Sequence, residues 1–173
     1  MPDRAPFRGL HYVLKPGAAG QPEIALKLTT SADAEFLGPQ LAAMNPWARL
    51  GTSSEQMISF LSTSDGYTRC FSIWRGGDRA GAIVVRFPWL AGPYLNLLGI
   101  LPAYQHGGLG RMALTWLDAE ALSGGARNSF LCVSAFNTRA HAFYRRNGYD
   151  DAALLDDLIK DGEDEILMRK RLR

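Results

Sequence analysis

A glycine-rich run, Gln105-His106-Gly107-Gly108-Leu109-Gly110-Arg111, separates a predicted strand from the helix with the clearest apolar periodicity in the chain. Glycines let the backbone approach a ligand closely, and the first free N–H groups of a helix attract an anion together with the helix dipole. Arg111 adds a planar set of donors that suits a phosphate. The run predicts a phosphate-binding turn, and the alternative is a tight turn without a ligand.

The residues that surround this turn limit the kind of phosphate. Gly108, Gly110 and Ala113 fit the spacing of a dinucleotide-binding turn. That motif also needs an acidic residue about 20 positions on, at the end of the next strand. Here the next strand ends Val133-Ser134-Ala135. A P-loop is excluded because no Gly-Lys-Ser/Thr follows the glycines, so we expect a pyrophosphate carried by another kind of cofactor.

A second pattern lies downstream, Asn137-x-x-Ala140-x-x-Phe143-Tyr144-x-x-x-Gly148-Tyr149. It resembles the second signature of the GNAT superfamily of N-acetyltransferases, N-x-x-A-x-x-F/L-Y-x-x-x-G-F/Y. The glycine-rich run resembles that superfamily's Q/R-x-x-G-x-G/A motif. Both motifs occur in the expected order, and the strong similarity covers residues 94–149. The chain is therefore similar to acyl-CoA N-acyltransferases of the acetyltransferase kind.

The resemblance implies acetyl-CoA as the cofactor and an amine as the acceptor of its acetyl group. In that superfamily the strand before the glycine turn parts from its neighbour, and its free edge pairs with pantetheine. Leu98 and Ile100 are carried over to that role, and Asn137 to a contact with the cofactor's arm. The resemblance implies that the pyrophosphate lies on the turn itself, at Gln105, His106, Gly107, Gly108, Leu109, Gly110 and Arg111. We expect no metal ion.

The resemblance also implies that Tyr144 lies near the sulfur. Attack of an amine on a thioester, in a ternary complex, forms an oxyanion that backbone N–H groups near Ile100 would stabilise, and then expels a thiolate. A thiol with a pKa of ~8.5 leaves more readily if a phenol with a pKa of ~10 donates a proton or a hydrogen bond to the sulfur as charge develops. We therefore predict that Tyr144 is the general acid, and the alternative is an ordinary aromatic residue of an amphipathic helix.

No general base is evident. Superfamily members often carry a Glu in the strand before the glycine turn or in the strand before the second motif, where this chain has Asn96 and Cys132. Asn cannot accept a proton, and a buried Cys is more often a small core residue. Glu55 is a remote candidate, and His141 is expected to be a solvated or capping residue. The remaining options are that a chain of water molecules removes the proton from the amine, or that the acceptor arrives uncharged.

The acceptor pocket of such folds lies between the segment joining the first two helices and the loop joining the last two strands, residues 45–52 and 156–165 here. Trp47 offers a flat apolar wall. The second segment is acidic and could attract a cationic amine, although a charge run is usually a solvated face. Pro46-Trp47 and the glycine turn also resemble ribosomal-protein alanine N-acetyltransferases. A small-molecule amine and a protein N-terminus are therefore equally open as acceptors.

The elements that position these residues indicate an α/β (α+β) fold. The pattern predicts a GNAT-like, mixed and mostly antiparallel central sheet of about seven strands flanked by about four helices, with a splayed strand pair for pantetheine. The first helix is expected from Ser31, with an interruption at Gly38-Pro39, and the second from Thr52 or Ser53. Gly99 within its strand indicates a bulge or a close backbone approach. Residues 156–165 are expected as an acidic loop.

Length and charge exclude several classes of protein. The 173 residues suit a single N-acetyltransferase-like domain over 23–173, with 1–22 as an N-terminal lead that is mobile or forms an extra strand. The 19 Lys and Arg against 17 Asp and Glu give a net charge of +2, too small to predict nucleic-acid binding. No apolar run reaches the ~18 residues of a membrane helix. Two cysteines without partners favour a cytoplasmic protein, and a homodimer is compatible with the sequence.

Three functions therefore compete. The first is an acetyl-CoA-dependent N-acetyltransferase with Tyr144 as general acid. The second is an acyl-CoA-binding sensor or regulatory domain with degenerate catalysis, which the absent acids at Asn96 and Cys132 favour and Tyr144 opposes. The third is a dinucleotide-dependent oxidoreductase, which the missing acid after the second strand opposes.

Overall fold

The strands of the protein form one twisted mixed sheet. A computed structural model describes residues 5–173, so the first four residues of the predicted N-terminal lead lie outside the described part. The strands are β1 (His11–Lys15), β2 (Ile24–Leu28), β3 (Thr68–Arg75), β4 (Asp78–Trp89), β5 (Gly92–Ile100), β6 (Asn128–Ser134), β7 (Asp150–Lys160) and β8 (Glu163–Arg171). The order across the sheet is β1-β2-β3-β4-β5-β6-β8-β7. Every neighbouring pair is antiparallel except β5 and β6, which are parallel.

Helices cover both faces of this sheet. They are α1 (Ser31–Ala42), α2 (Trp47–Leu50), α3 (Ser54–Leu61), α4 (Leu109–Ser123) and α5 (Thr138–Arg146). Neighbouring residues of β4 show the two faces, because Ile83 packs in the core under α4 while Val84 packs in the core under α1 and α3. Among residues 5–173, no helix combines the length and apolar character that crossing a bilayer requires.

The predicted fold class is confirmed, and the counts of elements are slightly higher than expected. Residues 5–173 contain eight strands and five α-helices. The added strand is β1, which pairs with β2 at the edge of the sheet, and the added helix is the single turn α2 between α1 and α3. The ring centroids of Tyr12 in β1 and Trp116 in α4 lie 5.1 Å apart, so the edge strand packs against the helix layer.

The predicted interruption of the first helix at Gly38-Pro39 was wrong. The helix continues through both residues to Ala42, and its N-cap is Thr30, which forms a capping box with Asp33. Gly38 instead permits close packing of α1 on α3, because a Cβ there would lie 2.5 Å from Cγ1 of Ile58. The predicted start of the second helix was right, since Ser53 caps α3.

The acidic segment 156–165 is not a loop, contrary to the sequence-based expectation. β7 and β8 extend through it and leave only residues 161–162 as the turn. β8 pairs with β6 on one side and β7 on the other, so backbone hydrogen bonds overcome the low strand propensity of the acids. Most of the acidic side chains of β7 are exposed. Glu165, at the start of β8, is buried.

Candidate functional site

A cleft of about 720 Å³ opens where the central sheet divides. β5 and β6 are in register only at Tyr94 with Phe130 and Leu95 with Leu131. Beyond these pairs β6 offers no ladder partner to residues 97–100 of β5, and both strands line the cleft. A strand edge with free backbone donors and acceptors can pair with an extended ligand. The expected splayed strand pair is therefore confirmed.

A bulge on β5 accompanies the separation of the strands. Leu95 pairs with Val85 and Leu97 pairs with Val84, so Asn96 is an extra residue on β5. Bulges bend a strand and often end its pairing next to active sites. Of the two alternatives expected at Gly99, the bulge lies instead at Asn96, and the close approach is found at Gly99 itself. That glycine is required for close packing, because a Cβ there would lie 2.5 Å from Cδ2 of Leu41 and 3.1 Å from the Trp47 ring.

The glycine-rich run forms a turn whose open side is the start of α4. Gly108 is the N-cap, with φ +77°, and no side chain caps the helix. The first N–H groups of α4 therefore remain available to a ligand. Two side chains support the turn: Gln105 Nε2 donates to the carbonyl oxygen of Ile100 at 3.0 Å, and Arg139 Nη2 donates to Gln105 Oε1 at 3.2 Å.

The structure brings nearly all sequence-predicted site residues to this one cleft. Gly107 is the exception, because it borders a smaller neighbouring cavity of about 530 Å³ on the other side of the turn. His106, with φ +65°, borders both cavities. The sequence-predicted site residues that line the main cleft are Leu98, Ile100, Gln105, His106, Gly108, Leu109, Gly110, Arg111, Asn137 and Tyr144.

Cations lie along the same cleft and are not neutralised by the protein. Arg111, Arg139 and Arg146 line it, and none of the three forms an ion pair with a carboxylate within residues 5–173. Uncapped helix N–H groups, free guanidinium groups and an unpaired strand edge together suit a polyanionic ligand with an extended amide-bearing arm. The residues present therefore fit acetyl-CoA. No three potential metal-ligating side chains of the described chain are grouped as a metal site.

Tyr144 lies in the wall of the cleft, on α5, and is only 9% exposed. Its ring packs against Phe143, with the centroids 5.3 Å apart. Burial raises the pKa of the Tyr144 phenol, so the hydroxyl keeps its proton at neutral pH. No side chain of residues 5–173 forms a hydrogen bond with that hydroxyl, which leaves the O–H group available as a donor.

Glu165 is the functional candidate that sequence reasoning missed. Its side chain lines the cleft, yet the residue is only 3% exposed. The Oγ of Ser134 donates to Glu165 Oε1 at 2.5 Å. Burial raises the pKa of the Glu165 carboxyl, with the hydrogen bond from Ser134 opposing and the charge of Glu163 reinforcing that shift. Glu165 directly precedes the predicted strand 166–168, and this position could have indicated its burial. It was not singled out because it belongs to a run of acidic residues.

The other candidates for acid–base chemistry are disfavoured either by their raised pKa or by their position outside the cleft. Burial raises the pKa of Cys132 and of Tyr94, so the thiol is a weak nucleophile and the phenol stays protonated. Glu55 is exposed at the start of α3 and does not line the cleft. His141 also lies outside it, and its Nε2 is 2.8 Å from Oδ1 of Asp151.

The two walls expected to form the acceptor pocket contact each other. Arg49 Nε donates to Glu163 Oε1 at 2.8 Å, and Lys160 Nζ donates to the carbonyl oxygen of Arg49 at 2.8 Å. These bonds tie α2 to the β7–β8 hairpin. Trp47 and Ile159 line the cleft beside this connection, so an apolar surface adjoins the buried Glu165.

Comparisons with known proteins agree with this geometry. Residues 37–149 match the sequence model of the Acetyltransferase (GNAT) family. The ribosomal-protein-S18-alanine N-acetyltransferase from Escherichia coli is similar in structure, with a TM-score of 0.68, 23% identity, and coverage of 86% of this chain and 94% of that one. An acetyltransferase from Thermus thermophilus gives a TM-score of 0.69 and 24% identity over 86% of this chain and 96% of that one. A putative streptothricin acetyltransferase from Bacillus anthracis, solved in complex with acetyl coenzyme A, gives a TM-score of 0.55 and 18% identity over 61% and 62%.

Proposed function

The chain belongs to the acetyltransferase (GNAT) family, with acetyl-CoA as its cofactor, and from that membership we propose that it transfers the acetyl group to a primary amine. The acceptor is a small-molecule amine or a protein N-terminus. The observation that carries the proposal is the coincidence, in one cleft, of an unpaired strand edge, an uncapped helix start and a buried tyrosine. The first two features suit the cofactor, and the third suits the chemistry at its sulfur.

Each part of the cleft has a role in this proposal. The backbone of Leu98 and Ile100 pairs with the pantetheine arm, and the N–H groups at the start of α4 hold the pyrophosphate. Arg111 adds charge-assisted hydrogen bonds to the phosphates. Asn137 caps α5 by accepting from the N–H of Ala140 at 3.2 Å and lines the cleft, which supports a contact with the cofactor's arm.

Tyr144 acts at the end of the reaction. Bound acetyl-CoA supplies an activated carbonyl group and a thiol as leaving group. Tyr144 holds a proton on its hydroxyl oxygen and donates it to the leaving sulfur as negative charge develops there. Burial raises the pKa of this phenol, so the proton is present at neutral pH and is held more tightly than in an exposed tyrosine. Free N–H groups of β5 near Ile100 are available to stabilise the oxyanion.

The alternative of an acyl-CoA-binding sensor rests on the lack of an acid in the expected strands. Glu165 supplies a buried carboxyl from a different strand, which removes that argument. Catalysis is therefore the function that the cleft supports best.

The test is release of free thiol from acetyl-CoA across a panel of amines that contains spermidine, lysine and peptides beginning with alanine. We expect turnover with at least one of them, and calorimetry to detect binding of acetyl-CoA but not of NAD. Binding of acetyl-CoA without turnover across the panel would favour the sensor, and binding of NAD would favour an oxidoreductase.

A further inference from the structure

We propose that Glu165 is the general base that takes a proton from the acceptor's ammonium group, and that Ser134 positions its carboxylate. The inference rests on the proposed acetyl transfer. It assigns the base to β8, the strand after α5 and β7, whereas the sequence directs attention to the strands that hold Asn96 and Cys132.

The geometry of β6 and β8 fixes the carboxylate at the cleft. The two strands are antiparallel, with Ser134 directly opposite Glu165. Residues directly opposite on one face of a sheet have adjacent side chains, and the Ser134 hydroxyl donates to Oε1 at 2.5 Å. Oε2 forms no hydrogen bond within the described residues and is not a fully enclosed polar atom. One oxygen is thus held in place and the other is open to a ligand in the cleft.

Among residues 5–173, no cation pairs with Glu165 or lowers the pKa of its carboxyl. Tyr94 of β5 and Cys132 of β6 are the titratable groups that interact with it from the neighbouring strands, and Leu155 is opposite it on β7. Glu163, on the same strand, is paired with Arg49. A buried carboxylate without a counterion is costly. A cationic amine that enters the cleft would supply the missing charge.

The protonation equilibrium of the Glu165 carboxyl suits a general base. Burial raises the pKa of Glu165, and the charge of Glu163 acts in the same direction, while the hydrogen bond from Ser134 limits the rise. A base works best when its pKa approaches the operating pH. The carboxylate is therefore a stronger base than an exposed glutamate, and the hydrogen bond from Ser134 favours its ionised form.

Protons and electron pairs balance for an acceptor that arrives as an ammonium ion. Glu165 takes one of the three protons on the ammonium nitrogen, which leaves a neutral amine with a lone pair. That lone pair forms the C–N bond, and the C–S bond breaks with its electron pair on sulfur, which receives the Tyr144 proton. A second nitrogen proton returns through solvent to Tyr144. The products are the acetylated amine, the free thiol and a proton on Glu165, which leaves to water.

The experiment compares Glu165→Gln with Glu35→Gln, a control that makes the same chemical change at an exposed position of α1 away from the cleft. With the fastest amine of the panel, we expect Glu165→Gln to lower kcat by about 10²- to 10⁴-fold, the range of general acid–base contributions. The acidic limb of the pH profile of kcat/KM should be lost. Calorimetric binding of acetyl-CoA should be unchanged, and Glu35→Gln should behave as the wild type.

Ser134→Ala tests the positioning role independently. Loss of its hydrogen bond removes a contribution that lowers the pKa of Glu165, so the acidic limb should move to higher pH without a change in acetyl-CoA binding. Wild-type turnover with an unchanged kcat in Glu165→Gln would overturn the assignment while leaving the proposed function intact. A parallel loss of acetyl-CoA binding would make Glu165 structural. Absence of turnover in the wild type would instead contradict the proposed function.

Discussion

Tyr144 and Tyr149 pack edge to face with their ring centroids 5.9 Å apart, but only Tyr149 has a bonded hydroxyl, which lies 2.9 Å from Ser129 Oγ. The two phenols are both buried and differ in what their oxygens do. Tyr149 is enclosed in the core, whereas Tyr144 borders the cleft. They form a natural pair for separating chemistry from stability.

Removal of each hydroxyl group should affect a different property of the protein. Tyr144→Phe should lower kcat by about 10²-fold or more, because a general acid is lost, with little change in the free energy of unfolding. Tyr149→Phe should lower the free energy of unfolding by about 1 kcal/mol, the value of one hydrogen bond, and leave kcat unchanged. Steady-state kinetics and urea unfolding measure both. An unchanged kcat in Tyr144→Phe would reject the acid assignment.

Arg139 should contribute to affinity for the phosphates of CoA. It lines the cleft and braces Gln105. Since a charge-assisted hydrogen bond contributes about 1.5–3 kcal/mol, Arg139→Ala should raise the Kd of CoA by about 10- to 100-fold and leave that of pantetheine, which lacks the phosphates, almost unchanged. Arg145→Ala is the control, because Arg145 is exposed and paired with Asp150. An equal loss of affinity for CoA and for pantetheine would show that Arg139 acts only on the fold.

Glu165 should make stability depend on pH in an unusual direction. Its pKa is raised above the ordinary value of 4.5 by burial, so the folded state holds the proton more tightly than the unfolded chain does. Stability is therefore lost as the pH rises through the folded pKa. Glu165→Gln should be more stable than the wild type at about pH 8, and the difference should vanish near pH 4, where both states are protonated. Thermal unfolding across this range checks the sign, and a difference that grows on acidification would contradict it.

Gly99 should tolerate no added methyl group. Its Cβ would lie 2.5 Å from Leu41 and 3.1 Å from Trp47, and overpacking of a core costs about 1–3 kcal/mol. Gly99→Ala should lower the free energy of unfolding by that amount and raise the KM of the acceptor, because Trp47 borders the cleft. Gly77→Ala, with nothing within 4 Å of the new atom, is the control. Equal stability of the two variants would show that Leu41 and Trp47 yield without cost.

Local features could be predicted from the sequence because they depend on neighbours in the chain. The turn before α4 and the cap at Ser53 are of this kind. The interruption at Gly38-Pro39 was expected wrongly because the role of Gly38 depends on Ile58, which lies on another helix.

The general base could not be predicted for the same reason. Glu165 is distinguished from the other acids of its run only by its burial beside Ser134, a residue far away in the sequence. The bulge at Asn96 likewise exists only relative to β4. Patterns along the chain locate a cofactor turn, but they do not reveal which acid the sheet encloses.

The division of the sheet between β5 and β6 also has a thermodynamic consequence. Within residues 5–173, only two residue pairs of the β5–β6 ladder join the two halves, so a cofactor that pairs with β5 would complete the hydrogen bonding that these strands leave open. Binding to the folded state alone stabilises it by RT ln(1 + [L]/Kd), about 2.7 kcal/mol at a hundredfold excess over Kd. Bound acetyl-CoA would then protect the chain against unfolding to a degree set by the concentration of the cofactor.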